Sequence, residues 1–402
     1  MEEWKEYKLN DVATLSTGFP FDGHKYAKVG IRVVRGDNVT IGSLRWDTDK
    51  DKRWNEPFNR ASEYSLRADD IVIGMDGSRV GKNRAQIKQE DLPLYIAQRV
   101  ACIRHNDLSL QSFLYYQIFS QDFENYIKAV QTGTSIPHVS LKQIGDFPVM
   151  LPSLKVQQKI ADILKTLDKK IEVNRKLNDN LLLQARALYK SWFVDFELFK
   201  DDEFEDSELG MIPHGWSVKQ LGEITTQVNE KVKDRVGVKV LSPITSGELV
   251  LSEEYFTKQV FSESISKYIV VKPTDFAYNP ARVNIGSLGM NEYGFDGCVS
   301  PVYVVFRCED EYQYFFDLFR RTETFKEEVK ARAIGGVRQS LTYKDFSLIK
   351  VVYPPIDVIH SFNQIYLRIL AKTKHNDAET SRLASIRDTL LPKLMSGELK
   401  IS

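Results

Sequence analysis

The sequence predicts an α+β fold with internal duplication: two mixed α/β globular segments separated by two long helices packed as an antiparallel coiled coil. Three observations lead there. First, the chain repeats itself. Gly133–Lys142 aligns with Gly335–Lys344, 202 positions on, and the same offset pairs Phe113 with Phe315, Phe123 with Phe325, Pro152 with Pro354, Asn174 with Asn376 and Leu188 with Leu390. Near the start the offset is 212, pairing Trp4 with Trp216 and Leu9 with Leu221, so the first half holds ten more residues in its globular part. Second, each half mixes strand-like and helical runs. Third, each half ends in a long heptad pattern.

The elements follow in order. Strand-like runs fall at Ile31–Arg35, Asp70–Gly74 and Arg99–Arg104, and an aromatic helical segment spans Ser112–Val130. The second half answers with Tyr268–Val271, Val299–Arg307 and a helix near Tyr312–Ala333. Leu151-Pro152 and Tyr353-Pro354-Pro355 then punctuate each half before its helix, where proline is tolerated.

The central helix carries Ile160, Leu164, Leu167, Ile171, Asn174, Asn178, Leu181, Ala185, Leu188 and Trp192 at alternating steps of four and three, a coiled-coil seam. At ~1.5 Å per residue it makes a rod of roughly 50–60 Å. The partner seam is Phe362, Tyr366, Ile369, Thr373, Asn376, Thr380, Leu383, Leu390 and Leu394, interrupted by Arg387. Buried Asn in such a seam fixes register at some cost in stability. The expected divisions are 1–152, 153–199 (central helix), 200–215 (an acidic linker), 216–355 and 356–402 (C-terminal helix).

Composition narrows the function. The 402 residues are 42% hydrophobic and 27% charged, an ordinary globular balance. Lys plus Arg and Asp plus Glu are 55 each, so the chain is a poor nonspecific binder of nucleic acid. The charge is uneven: residues 155–200 carry 10 basic and 6 acidic side chains, and 201–208 are six acids without a base. If such a chain binds DNA, it does so through local patches or with a partner that carries much of the phosphate contact. No stretch approaches the ~18 unbroken apolar residues of a membrane span, and the charged opening MEEWKEYK does not read as a signal peptide. Cys102, Cys298 and Cys308 form no C-x-x-C and cannot all pair, so a reducing cytoplasm and no zinc site are expected.

Catalytic look-alikes fail on inspection. Gly77-Ser78-Arg79-Val80-Gly81-Lys82-Asn83 is one residue short of a phosphate loop and has Asn where Ser or Thr would hold magnesium. Asn279-Pro280-Ala281-Arg282 lacks the second Pro and the stacking aromatic of the adenine methyltransferase motif, and no glycine-rich cofactor loop precedes it. The six histidines are scattered, with no metal-ligand spacing. No catalytic centre and no metal site are expected.

The surfaces best suited to DNA are Gly-rich basic loops after strands, two in each half. In the first half Ser78, Arg79, Lys82, Asn83 and Arg84 lie in one loop, and Thr134, Ser135 and His138 in the other. In the second half Arg282, Asn284 and Ser287 correspond to the first loop, and Arg332, Arg338 and Gln339 to the other. Small residues let the backbone approach phosphates, while Arg and Asn offer bidentate contacts to guanine and adenine. Each residue alone reads first as an ordinary turn with solvated charges; their recurrence at matching positions in both halves raises the loops above that.

Several segments carry a resemblance. They are Ile136–Leu141 leading to Phe147–Pro152, Gln157–Ala161, Leu167–Asn174, Ala187–Phe196, Leu209–Trp216 and Leu390–Glu398. Together the sequence resembles the specificity subunit of type I restriction–modification systems over nearly its whole length. The resemblance implies that 1–152 and 216–355 are target recognition domains, each reading one half of a bipartite double-stranded DNA site. The helices would set the unread spacer and dock two methyltransferase subunits, which endonuclease/translocase subunits then join. It implies no cofactor on this chain, with S-adenosylmethionine, ATP and magnesium on the partners. Two other readings compete: the recognition half of a self-sufficient methyltransferase or restriction enzyme, and a structural coiled-coil adaptor.

Overall fold

Strands whose alternate residues enter different cores set the architecture. The computed structural model describes residues 4–133, 135–333 and 340–399. It divides into two compact units, Met1–Asn174 with Ala378–Ser402, and Arg175–Asp377.

In the first unit, Lys5–Lys8 pairs antiparallel with Pro148–Leu151. A four-stranded antiparallel sheet runs in the order Ala13–Thr17, Val100–His105, Ile71–Gly74, Arg84–Gln86. A smaller sheet orders Arg53–Trp54, Ile31–Val34, Leu94–Ile96, with the last two parallel. Ile71, Ile73, Ala101 and Ile103 face a core built on Phe113, Leu114, Phe123 and Ile127. Their neighbours Val72, Val100 and Cys102 face a second core with Val34, Leu94 and Ile96. A sheet buried on both faces reads as an unbroken apolar run, which is why these strands were legible.

The second unit repeats the plan. Ser217–Gln220 pairs with Lys350–Tyr353. One sheet orders Thr225–Val228, Val304–Cys308, Phe276–Tyr278, Leu288–Met290; the other orders Leu249–Leu251, Lys239–Pro243, Gly297–Val299, Ile269–Val271. Phe276, Tyr278 and Phe306 enter one core and Ala277 and Val305 the other.

The structure refines several expected elements. The helix expected over Ser112–Val130 is two, Gln111–Ile118 and Gln121–Val130, because the Ser120 hydroxyl accepts the Phe123 amide at 3.2 Å and starts a new helix. Thr322 does the same between Gln313–Phe319 and Glu323–Arg332. The run Val299–Arg307 is broken by the turn at Ser300–Tyr303 into separate strands of different sheets. The stretch 200–215 holds a hairpin, Phe204–Ser207 with Gly210–Pro213.

The long helices are Leu154–Phe193 and Ile356–Met395, and each contributes to both units. In the first unit Asp168 and Asn174 meet Arg387 and Glu379; in the second Asn178 meets Asn376, Thr373 and Asp377. Numbers rise along one helix as they fall along the other, so both segments pack antiparallel. Ile160, Leu164, Ile171, Asn174 and Asn376 are buried, while Leu167, Leu181, Leu188, Trp192, Ile369, Leu383 and Leu390 are half-buried. Arg387, which interrupts the apolar pattern, has a job there. It donates to Asp168 at 2.7 Å, and Asp168 also accepts the Tyr116 hydroxyl at 2.8 Å, joining both helices to the first globular part.

Candidate nucleic-acid interface

In the first unit the two sequence-predicted loops meet. Asp76 and His138 face each other as a β-bridge, the Gly77 amide donates to Pro137 O at 2.9 Å, and the Val139 amide to Met75 O at 2.9 Å. The Asp76 carboxylate also takes His138 Nδ1 and, at 3.0 Å, Arg99 Nη1. Burial pushes this carboxyl up, but the bonds from His138 and Arg99 outweigh it and hold Asp76 below its ordinary value.

The second unit builds the same junction: the Leu341 amide, 202 positions after Val139, donates to Pro280 O at 3.1 Å. Thr134, Arg338 and Gln339 lie outside the described residues.

Individual residues fare differently. Ser78, Arg79, Lys82, Ser135 and Arg282 are exposed, and Asn83, His138, Asn284 and Arg332 half-exposed. Arg84 is 7% exposed: it lies over the Phe119 and Phe123 rings and pairs with Glu124 at 3.6 Å, so it belongs to the core rather than to a DNA-facing surface. Ser287 is also buried, its hydroxyl donating to Pro243 O at 2.7 Å. Arg332, expected in a loop, is instead the last residue of the helix Glu323–Arg332 and pairs one turn back with Glu328 at 2.7 Å, while Lys82 pairs with Glu124 at 3.2 Å. The pseudo-phosphate loop folds as successive turns. Its Val80, Lys82 and Asn83 amides bond to carbonyls of the loop itself, so they cannot cradle a phosphate. Gly81 stands at φ +83°, where a Cβ would come within 3.0 Å of Ile127, which explains the glycine.

These loops border a cleft of about 650 Å³. Arg35, Arg45, Arg79 and Arg99 line it against Asp37 and Asp76, with Asn83 and Gln98 between. Arg35 pairs with Asp37 at 3.3 Å and lies over the Tyr26 ring; Arg45 pairs with Asp47 at 3.3 Å. Arg79 has no ionic partner among the described residues, which suits a group that meets phosphate. Arg35 was findable, since Arg35-Gly36-Asp37-Asn38 is another Gly-containing basic turn after a strand. Arg45, Gln98 and Arg99 reach the cleft only through tertiary structure. In the second unit a cleft of about 480 Å³ gathers Arg186, Arg320, Arg321, Lys326 and Lys330 around Asn284 and Glu323.

Among the described residues, no group of three or more His, Cys, Asp or Glu could hold a metal ion. Burial pushes the Cys102 and Cys298 thiols up to about 12, and all three cysteines are buried and free. Among the described residues no helix is long and apolar enough to cross a membrane.

Residues 1–183 match the Type I restriction modification DNA specificity domain. The type I restriction enzyme MjaIX specificity subunit of Methanocaldococcus jannaschii is 27% identical over 90% of this chain and 88% of its own. The HindI specificity subunit of Haemophilus influenzae is 23% identical over 99% of this chain and 100% of its own. Among solved structures, the type I restriction–modification system S subunit from M. genitalium shares the fold, with a TM-score of 0.60 at 16% identity over 100% of this chain and 97% of the other.

Proposed function

This chain belongs to the specificity subunits of type I restriction–modification systems, and from that premise we propose that it is the complex's DNA-reading subunit. Each globular head reads one half of a bipartite site. The head comprising 1–152 uses the cleft bordered by Arg79 and Asn83 with the His138 loop. The head comprising 216–355 uses Arg282 and Asn284 together with Arg332, Arg338 and Gln339. The observation that carries the reading is a backbone tie that recurs at matching positions, the Val139 amide to Met75 O in the first unit and the Leu341 amide to Pro280 O in the second.

The helices set the spacer between half-sites and dock the partner subunits. Leu177, Leu182 and Leu183 are 37–61% exposed on the central helix and leave apolar side chains open to such a partner. The partners are two methyltransferase subunits, which carry S-adenosylmethionine, and the endonuclease subunits, which use ATP and magnesium, all in the cytoplasm. This chain supplies recognition and scaffolding and leaves the chemistry to them. Its neutral charge fits a protein whose partners share the embrace of DNA.

The test is a single-molecule methylome. The methyltransferase subunit is expressed in a methylation-free host with and without this chain. A bipartite adenine-methylated motif is expected only with it. A motif written without this chain, or a stable complex that writes none, would overturn the reading.

A further inference from the structure

We infer that Arg99 reads a guanine in the half-site of the first head, with Asp76 as its positioning residue. This rests on the DNA-recognition reading above. Arg99 stands at φ +66°, in the left-handed region. A non-glycine persists there only where its surroundings over-determine it, and such residues cluster at functional sites. The surroundings here are specific: the Ala97 amide donates to Val34 O at 2.9 Å, Gln98 to Phe19 O at 2.9 Å, and Met75 to Arg99 O at 3.0 Å. Glycine would hold this turn without strain, so backbone geometry alone gives no reason for an arginine. The reason lies in the side chain.

That side chain is 71% exposed and borders the cleft. Its Nη1 is tied to Asp76, itself only 23% exposed and held from the other side by His138. The tie fixes the guanidinium before DNA arrives, which lowers the ordering cost of binding. It leaves Nε and Nη2 without a partner among the described residues. That edge carries two parallel donors, the complement of guanine O6 and N7 in the major groove. Adenine presents N7 beside a donor amino group and cannot accept both. The Asp76 carboxylate, engaged by two donors, is a support rather than a reader.

The experiment uses the complex of the full chain with its methyltransferase subunit and duplexes bearing the methylated motif. Each guanine of the first half-site is replaced in turn by 7-deazaguanine, which lacks only the N7 acceptor. The unaltered complex should lose affinity roughly ten- to hundredfold at one guanine, the range of a bidentate contact. Arg99→Ala should bind the natural duplex more weakly and be insensitive to the replacement at that guanine alone, while second-half guanines keep their full effect and report an intact complex. Asp76→Asn should blunt the same position. Arg99→Ala that stays sensitive at every guanine, or a first half-site of A·T pairs only, would overturn the inference. Should Arg99→Ala abolish binding, the Arg99→Lys methylome decides: relaxation at that one position supports the role, and an unchanged motif sinks it. A complex without any bipartite motif would instead overturn the DNA-recognition reading itself.

Discussion

Two buried carboxylates show how closely the halves agree at the residue scale. Asp70, 2% exposed, accepts Arg104 Nε at 2.7 Å and the Arg67 amide at 2.8 Å. Asp275, 0% exposed, accepts Arg307 Nε at 2.6 Å and the Lys272 amide at 2.9 Å. Each Asp begins or precedes the strand beside the one carrying its Arg, so the pair locks two strands of the double-faced sheet. Removing the arginine leaves a buried charge with one amide for support. Arg104→Ala and Arg307→Ala should each destabilise by about 2–3 kcal/mol, less than the ~3–5 kcal/mol of breaking a fully buried pair because both guanidinium groups are partly exposed. Denaturant unfolding of the purified chain checks this, and a loss below 0.5 kcal/mol, that of an ordinary surface change, would contradict it. Neither pair could be read from sequence: its partners lie 34 and 32 residues apart with nothing to join them but the strand register.

At the scale of elements, the seam is where sequence reasoning went furthest. The heptad spacing gave the buried faces of both helices because burial in a coiled coil is periodic and local. It did not give the second buried face. Tyr189 and Phe193 leave the seam and pack with Phe315 and Trp216 of the second head, a contact set by tertiary structure alone. The same limit separates the loops from their occupants: Gly and Arg marked both loops, yet burial removed Arg84 and Ser287, and the turn between Leu94–Ile96 and Val100–His105 supplied Arg99. The seam's polar residues carry a prediction. Asn174 is 1% exposed, and while its amide donates to Glu379 at 2.7 Å, its carbonyl oxygen has no partner. Asn174→Leu should stabilise the chain by about 1 kcal/mol, since Lys170 still holds Glu379 at 3.2 Å, and should loosen register. A denaturation midpoint that rises while methylated sites spread over more than one spacer length is the expected pair of results. A single unchanged spacer would place register control elsewhere, with Asp168 and Arg387 the first residues to test.

For the whole molecule, duplication predicts independence. Each unit has its own double-faced sheet and its own loop junction, so replacing residues 1–152 with the equivalent segment of a relative should rewrite one half of the methylated motif. The methylome should keep the other half unchanged; alteration of both would refute independent heads. The units differ, however, in how the chain supplies them. Arg175–Asp377 is one continuous stretch, whereas the first head's core is closed by Leu394 and Met395, and Trp4 lies against Gly397. On the ribosome, then, the order of synthesis is not the order of completion. The second head can close its core while the first, translated earlier, still waits for the last helical turns to emerge, its apolar face over Ile160 and Leu164 open to the cell until they do.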